Sequence, residues 1–183
     1  MQGYYFARPA PGLTLAPADA GKFDALHAHF QRITTLELKD FRAETAPYLR
    51  ALEEARTRLH AGSSLADAAK GFLDLPLAER CFLLDRSGRQ IGPSILSRFS
   101  AARVDTKYDP VTRIEGAYWG HRYYFRRAIS NPAQIHLTRP YLSLPNAQQC
   151  VTVSVAVPAS QPDYVLRGDL EWIDHATSDL TLP

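Results

Sequence analysis

Apolar residues recur at helical spacing in the first part of the chain. After Pro17, a favourable first position for a helix, they fall at intervals of three and four. A second apolar stripe follows Pro47 and stops before Gly62, a residue typical of helix ends. The two stripes consist of Phe23, Leu26, Phe30 and Ile33, and of Tyr48, Leu52, Ala55 and Leu59. The pattern predicts two helices, one on each side of Pro47.

A short third helix is predicted next. Ser64 can cap it, since a serine side chain accepts a hydrogen bond from the first turn of a helix. Its apolar residues are Leu65, Ala68, Ala69 and Phe72. Residues 13–75 are therefore predicted to form a helical arm. Because its first two stripes offer more apolar surface than a short domain needs, we expect a parallel homodimer, with a hairpin of the two helices as the alternative.

After Pro76 the periodicity changes from helical to strand-like. An apolar run at 81–84 is followed by turn-forming residues at 85–89, which predicts a hairpin into Gln90 and Ile91. Three later strands are expected over 135–144, 150–157 and 164–173. In the middle one, valines alternate with small residues, so one of its faces is strongly apolar and the other mildly polar.

These elements predict an α+β fold. The connection 92–133 is too long for a structureless loop in a compact domain, so it should carry short helices over one sheet face. We therefore expect a five-stranded antiparallel sheet with a helical cover, preceded by the N-terminal helical arm. Composition agrees with one folded core, since the 183 residues are 45% hydrophobic.

Net charge and hydropathy limit the kinds of partner and the cellular compartment that we expect for the chain. The net charge of +2 creates no field that would select nucleic acid or a membrane surface. No apolar run reaches the roughly 20 residues needed to span a bilayer, and no signal-peptide pattern is present, so a cytoplasmic location is expected. Cys81 and Cys150 lie far apart in apolar segments without metal-ligand spacing, which favours buried thiols and no bound metal.

The sequence contains no spacing typical of a catalytic or cofactor motif. Its six histidines form no metal-ligand pair, and nucleophile elbows, Walker loops and dinucleotide fingerprints do not occur. The chain is therefore predicted to be non-catalytic and to need no cofactor.

A segment rich in aromatic residues and arginines, 118–127, is one candidate binding site. A guanidinium there could bind a carboxylate while the rings exclude water and strengthen the contact. If 121–130 is helical, Tyr118, Arg122 and Phe125 share one face and form a wall of a small-molecule pocket. The alternative is a structural aromatic hinge whose arginines are solvated or form ion pairs.

Asp169 is a second candidate because it lies in the middle of a predicted strand, where aspartate is disfavoured. A residue that breaks a local rule often marks a functional site. The alternative places Asp169 on the solvent face of that strand, together with Arg167 and Glu171.

The segment 2–9, Gln-Gly-Tyr-Tyr-Phe-Ala-Arg-Pro, resembles the last strand and exit of bacterial EAL domains, the cyclic di-GMP phosphodiesterases. The Glu-Ala-Leu signature and metal-binding carboxylates of that family are absent here. The resemblance therefore implies an EAL domain upstream in the same parent chain and no hydrolysis by the present residues.

Residues 81–174 resemble Cache sensory domains, which are PAS-like. The resemblance rests on the order of its motifs: Phe82-Leu83-Leu84-Asp85 before a Gly88 turn, Tyr118-x-x-x-Arg122-x-Tyr124-Phe125, Pro140-Tyr141-Leu142-Ser143, Val151-Thr152-Val153-Ser154 and Gly168-Asp169. It implies a PAS-like sheet with a ligand pocket. EAL proteins with a C-terminal domain of this kind are a known arrangement, so the two resemblances support each other.

The Cache resemblance also implies site residues. In amino-acid-binding Cache domains, the tyrosine and arginine of the second motif hold the ligand carboxylate, and acidic residues near the Pro-Tyr and Gly-Asp motifs hold its amine. Here Arg139 replaces an acidic residue, so a small anionic metabolite is expected if Arg122 and Arg139 face the pocket. If Arg139 pairs with Asp169, both charges are satisfied internally and no ligand is needed. The expected ligand-binding residues are Tyr118, Trp119, Arg122, Tyr124, Arg139, Tyr141 and Asp169.

We interpret the chain as a regulatory module of an EAL-type protein. Ligand binding or dimer geometry would act on the phosphodiesterase through the helical arm. A structural dimerisation module without a ligand is the alternative. The expected parts are an EAL remnant over 1–12, the linker and dimerisation arm over 13–75, the Cache/PAS-like sensory domain over 76–174 and a tail over 175–183.

Overall fold

The computed structural model describes residues 17–100, 115–143, 148–158 and 164–172, without the side chains of 17–22. The chain divides into two compact units, Met1–Thr45 and Ala46–Pro183, of which the second contains the sheet. The expected EAL remnant and C-terminal tail lie outside the described residues. The division of the chain into a linker arm and a sensory domain stays a prediction.

One long helix, α1, extends over Pro17–His60 and has 44 residues. The prediction of two helices is wrong because α1 continues through Pro47, and the hairpin of two separate helices is excluded with it. Proline removes one backbone N–H from a helix. Near the position of the missing N–H, the Thr45 hydroxyl donates a hydrogen bond of 2.7 Å to the carbonyl oxygen of Phe41. Among the described residues, no helix is long and apolar enough to cross a membrane.

The short helix α2, Leu65–Leu73, confirms the third predicted helix. The Ser64 side chain caps it by accepting a hydrogen bond of 3.1 Å from the backbone N–H of Asp67. Its apolar face is buried and includes Ala68, Ala69 and Phe72.

Within the described residues the sheet is antiparallel and has six strands, so the predicted class and orientation are confirmed and the count of five is wrong. The strands are β1 (Ala78–Leu84), β2 (Gln90–Leu96), β3 (His136–Leu137), β4 (Tyr141–Leu142), β5 (Gln149–Val157) and β6 (Tyr164–Glu171). Their hydrogen-bonded order is β2-β1-β6-β5-β3, and β4 also pairs with β5. The single strand expected over 135–144 is interrupted at Pro140, which has no N–H for the ladder.

Helices cover the sheet on both faces. The helix α3, Tyr123–Ser130, packs its buried Tyr124 and Phe125 against Phe82 of β1 and Val165 of β6. Neighbouring strand residues point to opposite faces, and the ring of Phe72 from α2 lies against Gly168 on the other side. Cys81 and Cys150 are buried free thiols, as predicted.

Candidate functional site

A charged pair lies in the middle of β6, beneath α3. Arg167 and Asp169 are two residues apart, so their side chains point to the same face of the sheet. They are only 5% and 1% exposed. The solvent-face alternative for Asp169 is therefore wrong, because α3 covers the face on which it lies. A buried charge is tolerated only when it is paired and hydrogen-bonded.

The guanidinium of Arg167 binds the Asp169 carboxylate through two hydrogen bonds. Its Nε donates to Oδ1 at 2.9 Å and its Nη2 donates to Oδ2 at 2.8 Å, a bidentate arrangement that is among the strongest in proteins. The Thr152 hydroxyl donates to Oδ1 at 2.7 Å. Arg80 adds a second cation, with its Nε 3.5 Å from Oδ2. The carboxylate thus accepts hydrogen bonds from β5 and β6, and Arg80 of β1 adds an ion pair without a hydrogen bond from its Nε.

Two tyrosine hydroxyls complete the cluster. Arg167 donates from Nη1 to the hydroxyl of Tyr124 at 2.8 Å and from Nη2 to that of Tyr141 at 2.9 Å. The single hydroxyl proton of Thr152 goes to Asp169, so Tyr141 must donate to Thr152 Oγ1 across their 2.6 Å contact. Hydrogen bonds therefore lead from Tyr141 through Thr152 to Asp169, and Arg167 bridges both ends.

Aromatic faces enclose the same guanidinium. Its Cζ lies 4.2 Å from the ring centroid of Tyr124 and 4.8 Å from that of Phe82. The ring of Trp119 lies 5.6 Å away. All three distances are within the roughly 6 Å at which a cation is attracted to the face of an aromatic ring. Arg167 is therefore bound by a carboxylate, by hydroxyls and by aromatic faces at once.

Strand register and one tight turn position these groups. Phe82 is the cross-strand partner of Arg167 in β1, and Thr152 is the partner of Asp169 in β5. Trp119 is positioned by its backbone N–H, which donates to the carbonyl oxygen of Gly88 at 2.7 Å. Gly88 has φ +86°, and a Cβ there would lie 2.4 Å from the Cα of Gly120. Only glycine allows this close approach of the two loops.

Burial changes the acidity of the cluster. It raises the pKa of Tyr124 to about 12 and raises the pKa of Tyr141 well above its ordinary value, with the Asp169 carboxylate adding to the second shift. Both phenols are protonated at neutral pH, as the hydrogen bonds require. The stabilisation from neutral Tyr124 is complete below its unfolded pKa of 10.0 and is lost as the pH rises towards 12.

The structure brings Trp119, Tyr124, Tyr141 and Asp169 of the predicted site residues together around one point. Their role in ligand binding stays a prediction. Arg167 and Thr152 were missed by sequence reasoning, although Arg167 shares its strand face with Asp169. The alternation of β6 was the available signal: two charged residues on one face of a strand with apolar neighbours point to a buried pair.

The other predicted site residues lie away from this point. Tyr118 is 55% exposed and Arg139 is exposed. Arg122 is the N-cap residue of α3, so the prediction that Tyr118 and Arg122 share a helix face is wrong. The Arg122 guanidinium lies 5.9 Å from the Trp119 ring centroid. Asp169 pairs with Arg167 and Arg80, whereas the sequence offered Arg139 as its partner.

Two buried donors at the edge of the cluster have no hydrogen-bond acceptor within the part of the chain that the structure describes. They are Arg80 Nε and Trp119 Nε1. Buried donors are usually satisfied, so an unsatisfied one marks a place where an acceptor could bind.

No family model matches the chain, and no curated protein matches it. Solved structures do. The Bacillus subtilis YkuI protein, which has an EAL domain and was solved with the substrate cyclic di-GMP and calcium, matches with a TM-score of 0.65 and 16% identity over 94% of this chain and 43% of the other. The ligand-binding domain of the Campylobacter jejuni chemoreceptor Tlp3, solved with L-valine, matches with a TM-score of 0.53 and 15% identity over 86% and 65%.

An extracellular ligand-binding receptor from Desulfohalobium retbaense also matches, with a TM-score of 0.54 and 13% identity over 78% of this chain and 25% of the other. At such identities the likeness shows the fold alone, which resembles that of Cache domains. The chain spans between a quarter and two thirds of the lengths of these three structures.

Proposed function

We propose that the chain is a non-catalytic regulatory domain of a cyclic di-GMP signalling protein and that it controls an EAL domain attached on its N-terminal side. The likeness to YkuI carries this proposal. It extends over 94% of the present chain, so it includes both α1 and the sheet unit, and it leaves more than half of the EAL-containing chain outside the match. The EAL-like segment 2–9 supports the same order of domains.

Regulation is tested on the parent protein. Deleting residues 17–183 is expected to change kcat/KM for cyclic di-GMP hydrolysis by about fivefold or more, since coupling between domains is typically worth that much. The present chain alone should hydrolyse nothing. As a control, Arg126→Ala alters only an exposed side chain of α3 and should leave the parent's kinetics unchanged. Equal kcat and KM with and without residues 17–183 would contradict the proposal.

A small anionic metabolite is the proposed stimulus in the sensing form of this function. The observation that favours it is the pair of unsatisfied donors, Arg80 Nε and Trp119 Nε1, beside the cluster. The pairing of Arg167 with Asp169 argues against an anionic ligand, because the guanidinium of Arg167 already binds a carboxylate through two hydrogen bonds. The internally satisfied form of the domain is therefore the better supported of the two.

A structural dimerisation module is the second candidate function, and exposed apolar residues on α1 favour it. Five large side chains are between 41% and 67% exposed: Leu26, Phe30, Ile33, Leu36 and Leu38. Among them, Leu26, Phe30 and Ile33 follow one another at spacings of four and three and share one face of the helix. Such a stripe fits a second copy of the helix, so we expect a homodimer. Phe30→Glu should weaken dimerisation by about tenfold or more, because it buries a charge in the interface. Sedimentation measures this, with Gln31→Glu as the neighbouring control; a wild type that stays monomeric at tens of micromolar would exclude the homodimer.

A further inference from the structure

The cluster around Arg167 has the composition of a cation-binding site. The Asp169 carboxylate accepts two hydrogen bonds from the Arg167 guanidinium, one from Nε at 2.9 Å and one from Nη2 at 2.8 Å. Tyrosine hydroxyls accept two more. The rings of Tyr124, Phe82 and Trp119 all lie within 6 Å of Cζ, as in sites that recognise organic cations. A free guanidinium ligand would need these same partners.

The walls of this site come from separate parts of the fold. Tyr124 belongs to α3, Tyr141 to β4 and Phe82 to β1, and all three contact one guanidinium. The cation is attached to β6, so it fills the site without any loss of translational freedom on binding. An organic cation from solution would have to displace a side chain that is tethered in place and only 5% exposed.

We propose that Arg167 is a built-in ligand: the cluster is a binding site for guanidinium-type cations whose occupant is a side chain of the same chain. The domain is thereby held in an occupied state without a diffusible ligand. Loss of the Arg167 side chain leaves a site that takes a small alkylguanidinium from solution. This inference concerns the present chain alone, so it can fail while control of an EAL domain stands, and the reverse.

Arg167→Ala tests it directly. The substitution removes the side chain beyond Cβ, and the removed atoms correspond to N-ethylguanidinium. The variant should melt well below the wild type, and millimolar N-ethylguanidinium chloride should raise its melting temperature saturably. At about ten times its dissociation constant, the expected rise is about 3–5 °C. The wild type, whose site is occupied, should show no such rise.

Matched additives and variants make the result specific. Sodium chloride at equal ionic strength and N-ethylurea, a neutral molecule of nearly the same shape, should not reproduce the rise. Asp169→Ala added to Arg167→Ala should abolish the response, because the carboxylate is gone. The proposal is overturned if folded Arg167→Ala responds equally to N-ethylguanidinium and sodium chloride, or if the wild type responds as strongly as the variant. It is also overturned if succinate stabilises the wild type and this effect is lost in Arg167→Ala.

A measurement on the wild type covers the case in which Arg167→Ala does not fold. In NMR spectra of ¹⁵N-labelled protein, a bound guanidinium should show a slowly exchanging Nε–H and separate Nη signals, because rotation about its Cζ–N bonds is hindered. Exposed Arg126 is the internal reference for a free guanidinium. Averaged, rapidly exchanging signals from Arg167 like those of Arg126 would overturn the proposal.

Discussion

Replacing Asp169 by alanine is expected to lower the free energy of unfolding by about 3–5 kcal/mol. The substitution leaves the buried guanidinium of Arg167 without the carboxylate that accepts two of its hydrogen bonds. It also removes the acceptor of the Thr152 hydroxyl and one of the carboxylates that pair with Arg80. A buried charge without its partner lowers the free energy of unfolding by far more than the intact ion pair contributes to it. Urea unfolding followed by circular dichroism measures the loss.

Three comparisons separate this mechanism from a general loss of packing. Asp40→Ala, at an exposed position of α1, should change stability by no more than about 0.5 kcal/mol. The double variant Arg167→Met with Asp169→Leu removes both charges and should lower the free energy of unfolding by less than Asp169→Ala alone. In a cycle of Arg167→Ala and Asp169→Ala, the coupling energy should reach at least about 1 kcal/mol. Additive effects in that cycle would refute the buried ion pair.

Local signals in the sequence were sufficient for several elements. Ser64 followed by apolar residues at helical spacing predicted α2, and the turn-forming residues 85–89 predicted the hairpin of β1 and β2. The alternating valines of β5 predicted a strand with one strongly apolar face. Each of these signals depends on residues close together in the chain, so no tertiary information was needed.

The errors arose where tertiary structure outweighs local preference. Pro47 predicted a helix boundary, but the helix continues and residues on its C-terminal side, such as Tyr48 and Leu52, are buried. Packing of this kind offsets one lost hydrogen bond. Pro140 had the opposite effect: it divided an expected strand into β3 and β4, because no packing can supply the missing ladder donor.

Only part of the candidate site was predicted, because some of its contacts depend on tertiary structure and not on local sequence. Tyr124, Tyr141 and Asp169 were identified, since a resemblance of motif order locates residues in a fold. The partner of Asp169 was sought in Arg139, next to Pro140, whereas it is Arg167 on the same strand. Sequence alone does not show which strand face is buried when both faces are covered by helices, so a solvent-exposed Asp169 stayed open as an alternative.

Gly168, between the two charged residues of β6, connects the two faces of the sheet. The side chains of Arg167 and Asp169 point towards α3. Because neighbouring strand residues face opposite sides, a side chain at position 168 would point towards α2. The ring of Phe72 fills that space, and a Cβ on Gly168 would lie 2.5 Å from its Cζ. Phe72 is fully buried and packs edge-on against Tyr48, with ring centroids 5.8 Å apart, so it has little room to move.

Gly168→Ala is therefore expected to destabilise the domain by about 2–3 kcal/mol, the upper range for overpacking a well-packed core. Gly71→Ala is the matched control: a Cβ there meets nothing within 4 Å, and the residue lies inside α2. The control should stabilise the chain by about 0.5–1 kcal/mol, since alanine favours a helix over glycine. Both effects are measured by urea unfolding.

Shortening the opposing side chain identifies the cause of the Gly168→Ala effect. Phe72→Leu vacates the end of the ring that the new methyl group would meet, so the double variant should be less destabilised than the sum of the single variants by at least about 1 kcal/mol. If Gly168→Ala is neutral, or if its cost is unchanged in the Phe72→Leu background, then Phe72 does not limit the space at this strand. In that case the close approach of α2 to β6 would not be the reason for a glycine between Arg167 and Asp169.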